Sequence, residues 1–414
     1  MRFRLAFLFF CFVMVLGSPL FSEESPSSPS SFPVSTIQTP HPSVRVAVAL
    51  DQPAIAIETK DAYEIRNGEN ALLIAEGNEP LQATVQSTEN GIRVNDAVYE
   101  ANAILIDGIE NPVKVGKRTY HDQIRILKGS DNKLTAVNHL DIDDYIKGVL
   151  PLEVSAKWPL EALKAHAVIS RTFALFQRIE RREKEFELYD SVKSQVYGGA
   201  LFHKERSDKA VDETSGEILT FNADIFPTFF HANCGGHTAK VDRVWRFKPH
   251  PALSGVPCPY CADTKHFRWK LSLTLGEMEK VMQSKGYPAK NLKNIEFVDT
   301  DGTRRIQKVK LTYERSELAL KANDFRAFFG YDKFRSLNAS VQVNGDKVHF
   351  GGFGWGHGVG FCQWGSKIQA HSGKNYKQIL EFYYPGSEIT NLNDQPALTS
   401  EQPQQNFVIC DVEQ

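Results

Sequence analysis

The chain has 414 residues, enough for two or three domains at roughly 100 to 200 residues each. Hydrophobic residues make up 42% and charged residues 24%, which excludes a wholly disordered chain and a multi-span membrane protein. Lys+Arg is 48 and Asp+Glu is 50, a formal net charge of −2, so no basic excess points to a nucleic-acid partner.

The first residues read as a targeting segment. Met1-Arg2-Phe3-Arg4 is a cationic head, Leu5 to Leu16 is almost wholly apolar, and Gly17-Ser18-Pro19 breaks the run. This predicts a secretory signal peptide over 1–22, since the apolar run is short for a membrane span. An uncleaved anchor is the alternative. Residues 23–42 are rich in Ser and Pro and read as an extended tether. Alternation at Val44-Val46-Val48, Ile55-Ile57 and Ile104-Ile106, punctuated by Asn67-Gly68 and Asn90-Gly91, predicts a β-rich part over 43–140. Pro159 opens a long helix, with Leu160, Leu163, Ala167, Ser170 and Ala174 on one face. Strand character returns over 216–233, and a loop with Pro, Gly and Cys follows from Pro249 to Ala262. Residues 268–335 mix strands and helices, including a helix around 275–285 and a strand over 306–313. A strand from Val341 leads into a Gly-rich run and two helical stretches. The polar tail over 391–414 reads as disordered. The fold class is therefore α+β: a β-rich N-terminal segment packed on a mixed core over 141–390, with a long helix after a catalytic loop.

Glu153 is the one carboxylate in the apolar stretch from Gly148 to Val154. Desolvation there would raise its pKa and let it donate a proton near neutral pH. An outward-facing strand-end acid or a helix cap is the plainer reading. Arg171, on the following helix, could pair with a carboxylate or with an acidic substrate group. A second cluster looks metal-binding. His231-x2-Cys234 precedes Cys258-Pro259-Tyr260-Cys261, and two such pairs can meet at a tetrahedral zinc. His237 competes as a ligand, and a disulfide is the alternative in an exported chain. Cys-Pro-Tyr-Cys also has redox-motif spacing, but no helix follows it at once. Four protein ligands would make the zinc structural, and no organic cofactor is expected. Third, Gly352, Gly354, Gly356, Gly358 and Gly360 alternate with Phe353, Trp355, His357, Val359 and Phe361. As a strand, this run would have one bare face and one bulky face. Trp355, His357, Gln363 and Trp364 then become candidates for stacking on and hydrogen bonding to sugars.

Several blocks resemble one family. Residues 145–175, YIKGVLPLEVSAKWPLEALKAHAVISRTFAL, look like the signature of the stage II sporulation protein D family (SpoIID/LytB). The stretches Lys193 to Gly199, Thr228 to Thr238, Gly354 to Gly365 and Phe382 to Gly386 resemble further blocks of that family, in order. The chain departs from the pattern at Val154, where Met is usual, and at His166, where Gln is usual. The resemblance implies an exported, cell-wall-associated lytic transglycosylase that cleaves peptidoglycan glycan strands stripped of stem peptides. It implies that Glu153 is the catalytic acid and that Ser194, Gln195 and Tyr197 line the substrate cleft. The family also includes amidase enhancers, so an N-acetylmuramoyl-L-alanine amidase becomes a candidate partner. A non-catalytic wall-binding enhancer and a zinc-dependent hydrolase are the competing readings.

Overall fold

The computed structural model describes residues 41–109, 111–287 and 290–395. The signal segment, most of the tether, and the tail from 396 onward lie outside the described residues. Residues 41–42 of the expected tether and 391–395 of the expected tail are described. His41 and Pro42 are buried, and Leu392 is buried with its N–H donating to the Gly216 carbonyl at 2.9 Å. Among the described residues, no helix is long and apolar enough to cross a membrane.

Residues 43–141, joined by one later strand, form two sheets. The first has seven strands, ordered Leu188–Tyr189, Ser43–Gln52, Leu134–Asp141, Gln123–Lys128, Ala103–Gly108, Tyr63–Asn67 and Leu73–Gly77. The second has six, ordered Arg118–Tyr120, Val113–Val115, Ala54–Glu58, Gln82–Thr88, Gly91–Val94 and Ala97–Tyr99. The alternating positions explain the burial: Val44, Val46, Ile55, Ile57, Ile104 and Ile106 all point inward. Ser43–Gln52 pairs antiparallel with Leu134–Asp141, Val44 opposite Leu140. Its other edge pairs in parallel with Leu188–Tyr189, which starts the loop that later reaches Glu153.

Leu134–Asp141 delivers the chain straight into α1 (Ile142–Glu153). The Asp141 side chain caps α1, accepting from the Asp143 N–H at 2.7 Å. α2 (Leu160–Glu180) follows after a short turn, with Pro159 at its N-cap rather than its first turn. It is buried on both faces, as a central helix must be. Leu163, Ala167, Ala174 and Leu175 join the core of the two sheets and α1. Val168, Ile169 and Phe173 join a second core with Phe229, Phe361 and Tyr383. After α3 (Glu205–Asp212) and the short α4 (Val241–Val244), a third core begins. It holds two three-stranded sheets with α5 (Leu275–Ser284) and α6 (Ala322–Phe329) around Trp269, Met278, Phe325, Phe334 and Phe350. The chain then leaves the strand Lys347–Phe353 for α7 (Gln363–His371) and α8 (Tyr376–Tyr383).

Two expectations change here. Glu153 ends a helix and does not sit in a loop. Gly148 and Pro151 lower the helix propensity of that stretch, but tertiary packing of Ile142, Ile146, Val149 and Leu150 overrides it. The Gly-rich run is not a strand beyond Phe353. Gly354, Gly356, Gly358 and Gly360 have φ of 85°, 117°, 89° and 71°, which an L-residue strand cannot adopt.

Gly148 shows the same demand for room. A Cβ there would lie 2.4 Å from Cε2 of Tyr197. Gly to Ala in an exposed helix stabilises by about 1 kcal/mol. Gly148→Ala should instead destabilise by about 1–3 kcal/mol, the usual cost of overpacking, measured by urea unfolding.

Candidate functional site

Glu153 is the last residue of α1, where the helix dipole already disfavours negative charge. The residue keeps part of its surface open, yet protein atoms pack closely round the carboxyl. Burial raises its pKa above the ordinary glutamate range. Two donors oppose that rise: the Val196 N–H, 3.0 Å from Oε1, and the Gln363 side-chain amide.

The residues around Val196 explain why its N–H is in place. Gln195 is buried and its Oε1 accepts from the Tyr145 hydroxyl at 3.3 Å. Tyr197 is buried against Gly148 and donates to Asn138 Oδ1 at 2.9 Å. Ser194 Oγ accepts from the Tyr189 N–H at 3.2 Å. These three side chains therefore anchor the loop and present the backbone of Val196 to Glu153. The buried rings and amide of Tyr197 and Gln195 have no surface for a ligand, which corrects their assignment to the cleft lining. Arg171 is corrected for the same reason. It is fully buried, with Nε 2.5 Å from Asp143 Oδ1 and Nη1 donating to the Glu217 carbonyl at 2.9 Å. It joins α2 to α1 and to the strand beyond, away from solvent.

Gln363 opens α7, with the Cys362 thiol at the N-cap accepting from the Gly365 N–H. The Gln363 side-chain nitrogen lies 3.0 Å from Nε2 of His166, on α2. Trp364 follows, half-exposed, with its ring 5.5 Å from Trp158 and 5.5 Å from His266. His266 in turn lies 4.8 Å from Trp355. Lys367 stands 4.7 Å over Trp364, and Arg335 stands 4.6 Å over Trp355. Trp158, Trp364, His266 and Trp355 thus form a row of four half-exposed rings, whose second ring, Trp364, belongs to the residue after Gln363. His357 does not join it. Its Nε2 donates to the Phe230 carbonyl at 2.8 Å and its Nδ1 accepts from the Val359 N–H at 3.0 Å, so both ring nitrogens are used internally.

The sulfur cluster differs from expectation in one member. Sγ of Cys234, Cys258, Cys261 and Cys362 lie within 4.8 Å of one another, all buried. His231 is not among them. Its Nδ1 faces the Val359 carbonyl at 3.1 Å, and burial pushes its pKa down to about 3. His237 holds the Thr238 carbonyl with Nδ1. The exchange follows from strand pairing: Phe230–His231 runs parallel to Phe361–Cys362, which sets Cys362 beside the Cys234 turn. The donor set fits zinc, because four thiolates at Zn–S of about 2.3 Å need sulfurs about 3.8 Å apart. Arg305 supports the fit. This buried guanidinium donates to the Cys234 and His237 carbonyls at 2.7 and 2.8 Å, which would place positive charge beside the dianionic centre that four thiolates and a divalent ion would make. With all four positions taken by sulfur, such an ion would be structural.

The sequence alone does not bring Cys362 into the sulfur cluster, nor His166, Trp158 and His266 to the site. A lone Cys between Phe361 and Gln363 carries no spacing signal, and its partners lie across a whole inserted module. Trp158 and His166 do lie within the signature stretch.

The family model described as stage II sporulation protein matches residues 130–221, which include Glu153, His166 and Val196. A second, described as a domain of unknown function (DUF8618), matches residues 260–360. An uncharacterized protein of Brachyspira hyodysenteriae is 31% identical over 84% of this chain and 93% of its own length. The amidase enhancer of Bacillus subtilis is 27% identical over 59% of this chain, which spans 40% of that relative. The stage II sporulation protein D of Bacillus subtilis is 25% identical over 62% of this chain and 76% of its own length.

Cys362→Ser should weaken zinc binding at least tenfold, about 1.4 kcal/mol or more. His231→Ala should retain one zinc per chain. Competition with a chromophoric chelator measures both, and removal of the metal should lower the melting temperature.

Proposed function

We infer that this chain, which belongs to the stage II sporulation protein D family, is an exported lytic transglycosylase of peptidoglycan glycan strands. The observation that carries the reading is Glu153: a desolvated carboxyl, its pKa raised, with two hydrogen-bond donors, one of them the residue before Trp364 of the half-exposed aromatic row. In the proposed reaction the Glu153 carboxyl protonates the glycosidic oxygen as the C1–O bond breaks. The resulting carboxylate takes the proton from the C6 hydroxyl of the same muramic acid ring, whose oxygen bonds to C1. The product is a 1,6-anhydro end, and Glu153 regains its proton. No water is activated, so one carboxyl suffices where hydrolases use two.

The neighbouring acids are employed elsewhere. Asp143 pairs with Arg171, Asp144 lies 3.5 Å from Lys147, and Glu161 accepts from the Tyr376 N–H at 2.8 Å. The row Trp158, Trp364, His266 and Trp355 offers ring surface of the kind that packs on sugars, and Lys367 and Arg335 supply positive charge for substrate carboxylates. That charge favours glycan whose lactyl carboxylates are free of stem peptide. A cell-wall-associated place outside the cytoplasm goes with this substrate. The all-sulfur cluster argues against a zinc-dependent hydrolase, which needs an open coordination position.

Similarity to an amidase enhancer favours a second reading, a non-catalytic wall-binding protein that assists an N-acetylmuramoyl-L-alanine amidase. The two separate on peptide-free glycan strands analysed by product mass. Wild type should yield anhydro ends and Glu153→Gln should yield none. Equal effects of both proteins in an amidase assay, with no cleavage by either, would favour the enhancer. Trp364→Ala should raise KM about tenfold, the loss of roughly 1.4 kcal/mol of ring contact, with kcat little changed.

A further inference from the structure

We propose that His166 is a positioning residue, whose imidazole Nε2 lone pair holds the Gln363 side-chain NH2 toward the Glu153 carboxyl. This rests on the reading of Glu153 as the acid and base.

The Gln363 nitrogen is the atom that matters. It lies 3.0 Å from His166 Nε2, and the same side chain hydrogen-bonds to Glu153. A carboxylate accepts and cannot donate. Once Glu153 is a carboxylate, the amide must therefore turn its NH2, and not its oxygen, toward it. One N–H then serves the carboxylate and the other serves His166. His166 can accept only if Nε2 is bare, which puts the ring proton on Nδ1. Ser170 Oγ stands 3.1 Å from Nδ1, one helical turn along α2, and receives that proton. The ring is fully enclosed and held edge-on by Phe230, 4.7 Å away, and Phe361, 5.8 Å away. Burial keeps it neutral, with a pKa pushed down to about 3.

The consequence concerns the second half of the reaction. Once Glu153 has given up its proton, the carboxylate needs donors until it collects the next one. Val196 supplies a backbone N–H that cannot turn away. The Gln363 amide can flip, and His166 prevents the flip. With no acceptor behind it, the carboxamide would be free to present its oxygen while Glu153 is protonated, and that oxygen would repel the carboxylate formed when the proton leaves. His166 touches Gln363 and not substrate, so its effect falls on the chemical step and not on binding.

The test has two arms on the whole chain. Imidazole 15N–1H correlation spectra, assigned by the signal lost in His166→Gln, should give a neutral ring with the proton on Nδ1. That state should persist from about pH 5.5 to about pH 8. A proton on Nε2, or protonation within that range, overturns the proposal whether or not cleavage is seen. Kinetics on glycan strands form the second arm. His166→Leu should lower kcat at least about tenfold with KM within about twofold, the scale of one hydrogen bond to a charged group. His166→Gln, whose carbonyl oxygen can accept in place of Nε2, should restore most of the loss. Wild-type kcat in a folded His166→Leu protein overturns the proposal. If His166→Leu does not fold, His166→Gln and the spectra decide. Activity that survives Glu153→Gln would overturn the reading of Glu153 and leave the tautomer result standing on its own.

Discussion

A parallel pairing of two short strands carries more of this molecule than its size suggests. Phe230–His231 beside Phe361–Cys362 joins segments separated by the whole inserted module. The pairing places Cys362 among three other buried sulfurs, and Gln363 within reach of Glu153 and His166. It also fixes Trp364, whose N–H donates to the Ala232 carbonyl at 3.0 Å. The alternate glycines make this approach possible. A Cβ on Gly356 would lie 2.6 Å from that of His231, and one on Gly360 would lie 2.2 Å from the Phe229 carbonyl oxygen. The bare backbone of the Gly-rich run is thus spent on protein contacts and not on a ligand.

The metal-type cluster and the carboxyl site are therefore neighbours through a single residue step, Cys362 to Gln363. An ion holding four sulfurs would pin the start of α7, and with it both the Gln363 amide and the Trp364 ring of the aromatic row. The inserted module over 268–353 has its own apolar core and leaves the chain between Cys261 and Cys362. Closing that excursion with a metal would oppose the conformational freedom of a long loop.

Features that depend on local periodicity were readable before any coordinates. The alternation at Val44-Val46 and Ile55-Ile57 gave inward-facing strands, and the apolar face from Leu160 to Ala174 gave α2. Glu153 stood out as a lone acid in apolar company, and the structure places it under matching desolvation. What was not readable depends on contacts distant in sequence. The sequence leaves Arg171 open to a carboxylate or a substrate group, and only the fold shows Asp143 and the Glu217 carbonyl around it. His231 had the better spacing for a ligand, yet the strand register chose Cys362. The helix over 142–153 was hidden by Gly148 and Pro151, since the glycine is there for the Tyr197 ring and not for flexibility.

Two opposed forces set the state of Glu153. Exclusion of water favours the neutral acid, and the Val196 and Gln363 donors favour the carboxylate; exclusion is the larger. A group that must first give and then take a proton needs both influences. The most direct measurement is a 13C NMR titration of the Glu153 side-chain carboxyl, assigned by the signal lost in Glu153→Gln. The midpoint should lie above the value of about 4.3 for an exposed glutamate. A midpoint at or below that value would mean that the two donors outweigh burial, leaving Glu153 ionised and unable to act as the acid.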